Sequence, residues 1–86
     1  MIVKNIFKVA DIFSIEGIGT IITGKLVCGA LRLGMKAMIN GKMSEVKKIE
    51  SQHQSVDVLT AGVDAGLSIS NISKNDIHKD AEYYFE

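Results

Sequence analysis

Residues 11–29 read Asp-Ile-Phe-Ser-Ile-Glu-Gly-Ile-Gly-Thr-Ile-Ile-Thr-Gly-Lys-Leu-Val-Cys-Gly. Gly19 to Lys25 follow the spacing of a phosphate-binding P-loop, but the next position, which should offer a Ser or Thr hydroxyl to Mg²⁺, is Leu26. A phosphate cradle also needs a pliant loop whose N–H groups converge on an anion. Thr20-Ile21-Ile22-Thr23 is instead a β-branched run, stiff at χ1 and suited to a pleated strand. A P-loop opens a helix, whereas Leu26-Val27-Cys28 continues the strand pattern. The stretch therefore reads as a turn at Glu16-Gly17-Ile18-Gly19 followed by one long strand, and no nucleotide is expected to bind there.

Working outward, the glycines at 17, 19, 24, 29, 34, 41, 62 and 66 space the chain like short strands joined by tight turns, and no proline interrupts a ladder. Upstream, Phe7 to Ile15 alternate imperfectly, with the odd positions Phe7, Val9, Asp11, Phe13 and Ile15 predicted inward. Downstream, Ile22, Gly24, Leu26 and Cys28 share one strand face, opposite Thr23 and Lys25. Gly24 in mid-strand predicts a close backbone approach. Asn40-Gly41 predicts a two-residue hairpin pairing Met35–Ile39 with Lys42–Ile49, because that dipeptide accommodates positive φ at both positions. Val46 and Ile49 break strict alternation, which predicts a bulge near Lys47-Lys48. Val46, Ile49, His53, Val56 and Thr60 also approach helical spacing, so an amphipathic helix over about 44–59 is a rival reading. Further strands are predicted at Ala65–Ile69 and Tyr83–Phe85, with a polar turn at Ser73–Asp76.

With 86 residues the chain is one domain, 1–86, with one modest core. Ten Lys and Arg balance ten Asp and Glu, without the basic excess usual in nucleic-acid binders. Cys28 is the single cysteine, which excludes an intramolecular disulfide and suits a reducing compartment. No signal peptide or membrane-spanning run is apparent, and the expected setting is the cytoplasm.

Five segments in this order and spacing carry a family resemblance: Asp11 to Lys25, Gly29-Ala-Leu-Arg-Leu-Gly-Met-Lys36, Val46-Lys-Lys-Ile-Glu50, Ala61-Gly-Val-Asp-Ala-Gly-Leu67 and Ile72-Ser-Lys-Asn-Asp-Ile77. Over about residues 7 to 79 they resemble the second domain of elongation factor Tu and its archaeal and eukaryotic relatives. The resemblance implies an all-β fold, a small closed Greek-key β-barrel, with strand over 44–50 and loop through 51–60. In the family this barrel sits between a GTPase domain and a further barrel, and nucleotide chemistry belongs to the GTPase domain. The chain is accordingly expected to be a non-catalytic module with no cofactor.

In the family the barrel holds the aminoacyl 3′ end of tRNA and contacts ribosomal RNA. The resemblance places that pocket near Phe13, Ile15, Thr23 and the loop after Glu50. Ala10 stands where tRNA-binding members carry an acidic residue, His53 where bacterial members carry a basic one, Ser70-Asn71 for Arg-Gly, and Asp80 for glycine. These departures lower the expected affinity for tRNA and leave the fold expectation intact.

The residues themselves suit Phe13 and Ile15 to the core or a pocket wall, and Thr23 to a strand surface or a ligand contact. Lys47 and Lys48, with Lys36 and Lys42, could form a basic face or a charged strand edge. His53 and His78 lack further ligands at zinc spacing, and Cys28 reads as a core thiol. The expected partner is tRNA or ribosomal RNA, with Phe13, Ile15, Thr23, Glu50, His53, Lys47 and Lys48 as contact residues. The alternative is a protein–protein adaptor or weak homodimer using the terminal Tyr83-Tyr84-Phe85 cluster.

Overall fold

A computed structural model describes residues 4–86. Among these, nine strands wrap round one core: β1 (Asn5–Ile15), β2 (Gly19–Cys28), β3 (Ala30–Arg32), β4 (Lys36–Ile39), β5 (Lys42–Ser51), β6 (Gln54–Val56), β7 (Val58–Thr60), β8 (Asp64–Ile69) and β9 (Glu82–Phe85). The main sheet runs β4-β5-β8-β2-β1-β9, all antiparallel, and β3 pairs with β7 alongside. Lys36 and Glu86 exchange both backbone hydrogen bonds, at 2.7 and 2.8 Å, which brings the two ends of the sheet together. The protein is thus an all-β, nearly closed barrel. Phe7, Ile22, Leu26, Leu31, Ile49, Leu67 and Phe85 fill it and are fully buried.

The turn at 16–18 and the long strand after it form as the residues dictate. Gly17 and Gly19 adopt φ of 84° and 109°, and the Ile18 N–H donates to the Ile15 carbonyl at 3.0 Å. Leu26 is buried in the core and Gly24 lies inside β2, so the P-loop spacing is incidental to a strand. A Cβ on Gly24 would be driven into the Lys8 carbonyl oxygen, which is the close approach the sequence predicts.

β1 departs from simple alternation. Val9 pairs with Gly24 but Asp11 with Thr23, so Ala10 is an extra residue on β1. A one-residue bulge reverses which parity faces the core. Phe7 and Val9 point inward before it, and Ile12 after it. Phe13 and Ile15 therefore face outward, 45% and 40% exposed, correcting their expected inward placement.

A second bulge explains the rival helix. Val46 pairs with Ile69 and Lys48 with Ser68, leaving Lys47 as the extra residue. Val46 and Ile49 then both point inward, three positions apart, in a strand. Helical spacing here is the trace of a bulge. The expected loop through 51–60 also carries structure: β6 folds back onto β5, and β7 pairs with β3.

The terminal aromatics divide. Phe85 is fully buried, Tyr83 is half-buried with its hydroxyl accepting from the His78 N–H at 3.1 Å, and Tyr84 is 44% exposed. Phe85 belongs to the core and cannot contribute to an interface as expected. Cys28 is also corrected: it is half-buried, its thiol donating to the Lys4 carbonyl at 3.3 Å at the barrel rim.

Candidate functional site on the outer face of the barrel

The parity switch at Ala10 turns Phe13 and Ile15 to the same face as the outward residues of β2, β8 and β5, beside a cleft and not in its lining. Beyond the switch, outward residues of four neighbouring strands fall into two rows. One runs Phe13, Ile21, Ser68, Lys48, and the next runs Asp11, Thr23, Gly66, Glu50. Phe13, Ile15, Thr23, Glu50 and Lys48 are thereby brought to one face, although they lie far apart in sequence.

A cleft of about 120 Å³ opens in this face between Ile18 and Ile21 on one side and Lys48 and Glu50 on the other, with Gly66 and Ser68 beneath. A second depression, sharing Glu50 and Gly66, continues past Thr23 to Ala10, Gly24, Ser51, Gln52 and Asp64. The groove carries Ile18, 62% exposed, and Ile21 at the hairpin tip, and the side chains of Thr23, Ser51, Gln52 and Asp64 beyond Glu50.

The charges on this face are largely matched. Lys48 pairs with Glu50 at 3.0 Å and Lys47 with Glu45 at 3.1 Å. Lys42, a further candidate for a basic face, binds Asp76 at 2.8 Å. Any phosphate approaching these lysines must therefore compete with a carboxylate already in place. At the edge of the face, the Ile12 N–H and then Lys79 hold the Asp11 carboxyl below its ordinary value.

His53 sits exposed at the tip between β5 and β6 with φ of 64°, and its neighbour Gln52, at φ 53°, reaches the groove. Ile18, Ile21, Gln52, Gly66 and Ser68 are groove residues that sequence reasoning left out. Their only signal was cross-strand register, which alternation in one strand cannot supply. Asn71 and Asp80, where the family resemblance places glycine, adopt φ of 62° and 66°. Asn and Asp tolerate that region better than other side chains, so the backbone course is kept.

Residues 19–79 match the family described as elongation factor Tu domain 2. Elongation factor 1-alpha of Saccharolobus solfataricus is 34% identical over 73 residues, 83% of this chain and 17% of that protein. The corresponding protein of Archaeoglobus fulgidus gives the same figures. Among solved structures, translation elongation factor SelB from Methanococcus maripaludis superposes with a TM-score of 0.85 at 22% identity, over 94% of this chain and 18% of that one. A bacterial selenocysteine-specific elongation factor, EF-Sec, gives 0.84 at 20% identity, over 94% of this chain and 14% of that one. These two likenesses concern the fold. The chain spans less than a fifth of the length of these relatives. The match over most of its residues, on a barrel built as described, shows that the chain belongs to the elongation factor Tu domain 2 family.

Proposed function

We propose that this translation-factor barrel is a non-catalytic module that contacts RNA through the groove between Ile18, Ile21, Lys48 and Glu50. The observation that carries this reading is the convergence of Phe13, Ile15, Thr23, Lys48 and Glu50 on one outer face. An unpaired terminal base suits the apolar end, and its sugar and phosphate suit the polar continuation, since single strands are held by stacking plus backbone contacts. Phe13 is free to stack, and Lys47 and Lys48 reach phosphate by releasing Glu45 and Glu50. The balanced charge keeps binding weak and salt-sensitive.

The test is a titration of a short CCA-ended RNA at two salt concentrations. The intact chain, Phe13→Ala and the Lys47→Ala, Lys48→Ala pair are compared. Phe13 is exposed, so its truncation leaves the core intact and is expected to cost about 1–3 kcal/mol of binding if a base stacks there. Each lost phosphate contact lowers the salt slope by about 0.7. Measurable affinity that neither variant changes refutes these contacts.

A second reading, a protein adaptor, rests on a different surface. Met38, Met43 and Tyr84 are 61%, 50% and 44% exposed and line a depression with Lys36, Glu82 and Glu86. Flexible thioethers beside an aromatic ring suit an adaptable protein contact. Sedimentation of the intact chain and of Met38→Lys, Tyr84→Lys tests it: self-association that the substitutions leave unchanged excludes this surface.

A further inference from the structure

Eight glycines punctuate the chain, and the fold accounts for seven. Gly17, Gly19, Gly29, Gly34, Gly41 and Gly62 have φ between 77° and 109°, where side chains are strained. Gly24 has no room for a Cβ against the Lys8 carbonyl. Gly66 meets neither condition. Its φ is ordinary, and a Cβ there would touch only Thr23 Cγ2 at 3.8 Å and Ile21 Cγ2 at 4.0 Å, both comfortable van der Waals contacts. It sits in the middle of β8, hydrogen-bonded between β2 and β5, where glycine weakens a strand relative to alanine. Folding alone would favour a side chain at this position.

Gly66 is also where the two halves of the groove meet: it lines both, with Thr23 on one side and Glu50 on the other. A side chain here would stand up from the groove floor. We propose that Gly66 is a specificity-determining residue, kept bare so that the planar base at the end of an RNA strand can lie flat on the backbone of β8. This inference rests on the RNA reading above and assigns it a floor. A flat ring over a glycine gains contact along a whole peptide plane, and a single methyl group tilts it off.

The two roles of the position predict opposite signs. Gly66→Ala is expected to raise the melting temperature by about 2–8 °C, because the substitution restricts the unfolded chain and is unstrained in the folded one. The same change is expected to weaken binding of a CCA-ended oligonucleotide about tenfold, the scale of one lost stacking contact. Gly66→Val, which fills more of the notch and still suits a strand, weakens it further. The decisive comparison repeats the titration with an oligonucleotide whose last nucleotide is abasic, which the intact chain and Gly66→Ala should bind equally. A lowered melting temperature for Gly66→Ala overturns the proposal by making the glycine structural. Equal loss of affinity for both oligonucleotides, or no loss for either, overturns it while the RNA reading stands. Failure of the intact chain to bind the base-containing oligonucleotide at low salt overturns both.

Discussion

β5 is flanked by two turns of the same geometry and very different chemistry. At its start, Asn40-Gly41 joins Ile39 to Lys42 with φ of 50° and 77°. At its end, Gln52-His53 joins Ser51 to Gln54 with φ of 53° and 64°. Both are two-residue turns with the left-handed backbone that matches strand twist. The first uses the residues best suited to that conformation and is anchored from outside. Asp76 accepts from the Asn40 amide and the Lys42 ammonium, each at 2.8 Å, and from the Ser73 N–H at 2.9 Å. The second uses a glutamine and a histidine, which bear the steric cost of the left-handed region, and it borders the groove. That local strain is held in place by the pairing of β5 with β6 on either side of the turn. One turn is anchored to the rest of the fold, and the other carries its strain at the edge of the groove.

The largest effect should come from the anchor of the first turn. Asp76→Ala leaves the Asn40 amide, Lys42 and the Ser73 N–H without their acceptor, and should lower the urea midpoint at pH 7 more than any change within either turn. Lys42, then the Ser73 N–H and Asn40, hold the Asp76 carboxyl well below the usual carboxylate range. A group with a depressed folded value stabilises the protein above its unfolded value. That contribution should begin to fade as the pH falls through about 4 and continue to fade down through the folded value. The gap between the intact chain and Asp76→Ala should narrow in acid; a gap constant from pH 7 to pH 2 would assign the effect to packing.

Next in size, Gly41→Val puts a β-branched residue at φ 77° and should cost about 1–2 kcal/mol in chemical denaturation. An unchanged midpoint would show that the turn can re-form in another geometry. The reciprocal change is expected to stabilise: Gln52→Asn with His53→Gly gives the second turn the chemistry of the first and should add about 1 kcal/mol, or about 4–8 °C in melting temperature. If the turn is strained for the sake of the groove, this variant also binds the oligonucleotide less well, and higher stability with undiminished binding would separate strain from function. The smallest effect lies between the turns. Lys48→Ala removes an exposed ion pair with Glu50 and should change stability by no more than about 0.5 kcal/mol, so any larger loss of binding by it reports contact with the ligand.

The two turns also differ in what can be read. Asn40-Gly41 announces itself, because the dipeptide has few other uses between apolar runs. Gln52-His53 carries no turn signal, and its neighbours mimic a helix because the bulge at Lys47 sets Val46 and Ile49 on one side, three positions apart. The family resemblance covered both and gave the barrel, but placed a loop where β6 and β7 form. Nothing in the residues themselves shows that Phe13, Ile15, Thr23, Glu50 and Lys48 share a face, and Lys47 and Lys48, expected to form a basic face or a charged strand edge, are paired with Glu45 and Glu50.

Local chemistry alone therefore determined that this chain is strands and tight turns: β-branched runs resist loops, glycines permit positive φ, and Leu26 removes the metal ligand a nucleotide site requires. Tertiary structure decided which side of each strand meets the core. The bulge at Ala10 shows only in the pairing of β1 with β2, next to Gly24, where the backbone leaves no room for a Cβ against the Lys8 carbonyl. That one inserted residue turns Phe13 and Ile15 outward, onto the face beside the groove, whose lining comes mainly from the hairpin tip, β2, β5 and β8. Register belongs to pairs of strands, and no residue in one strand records where its partner will place it.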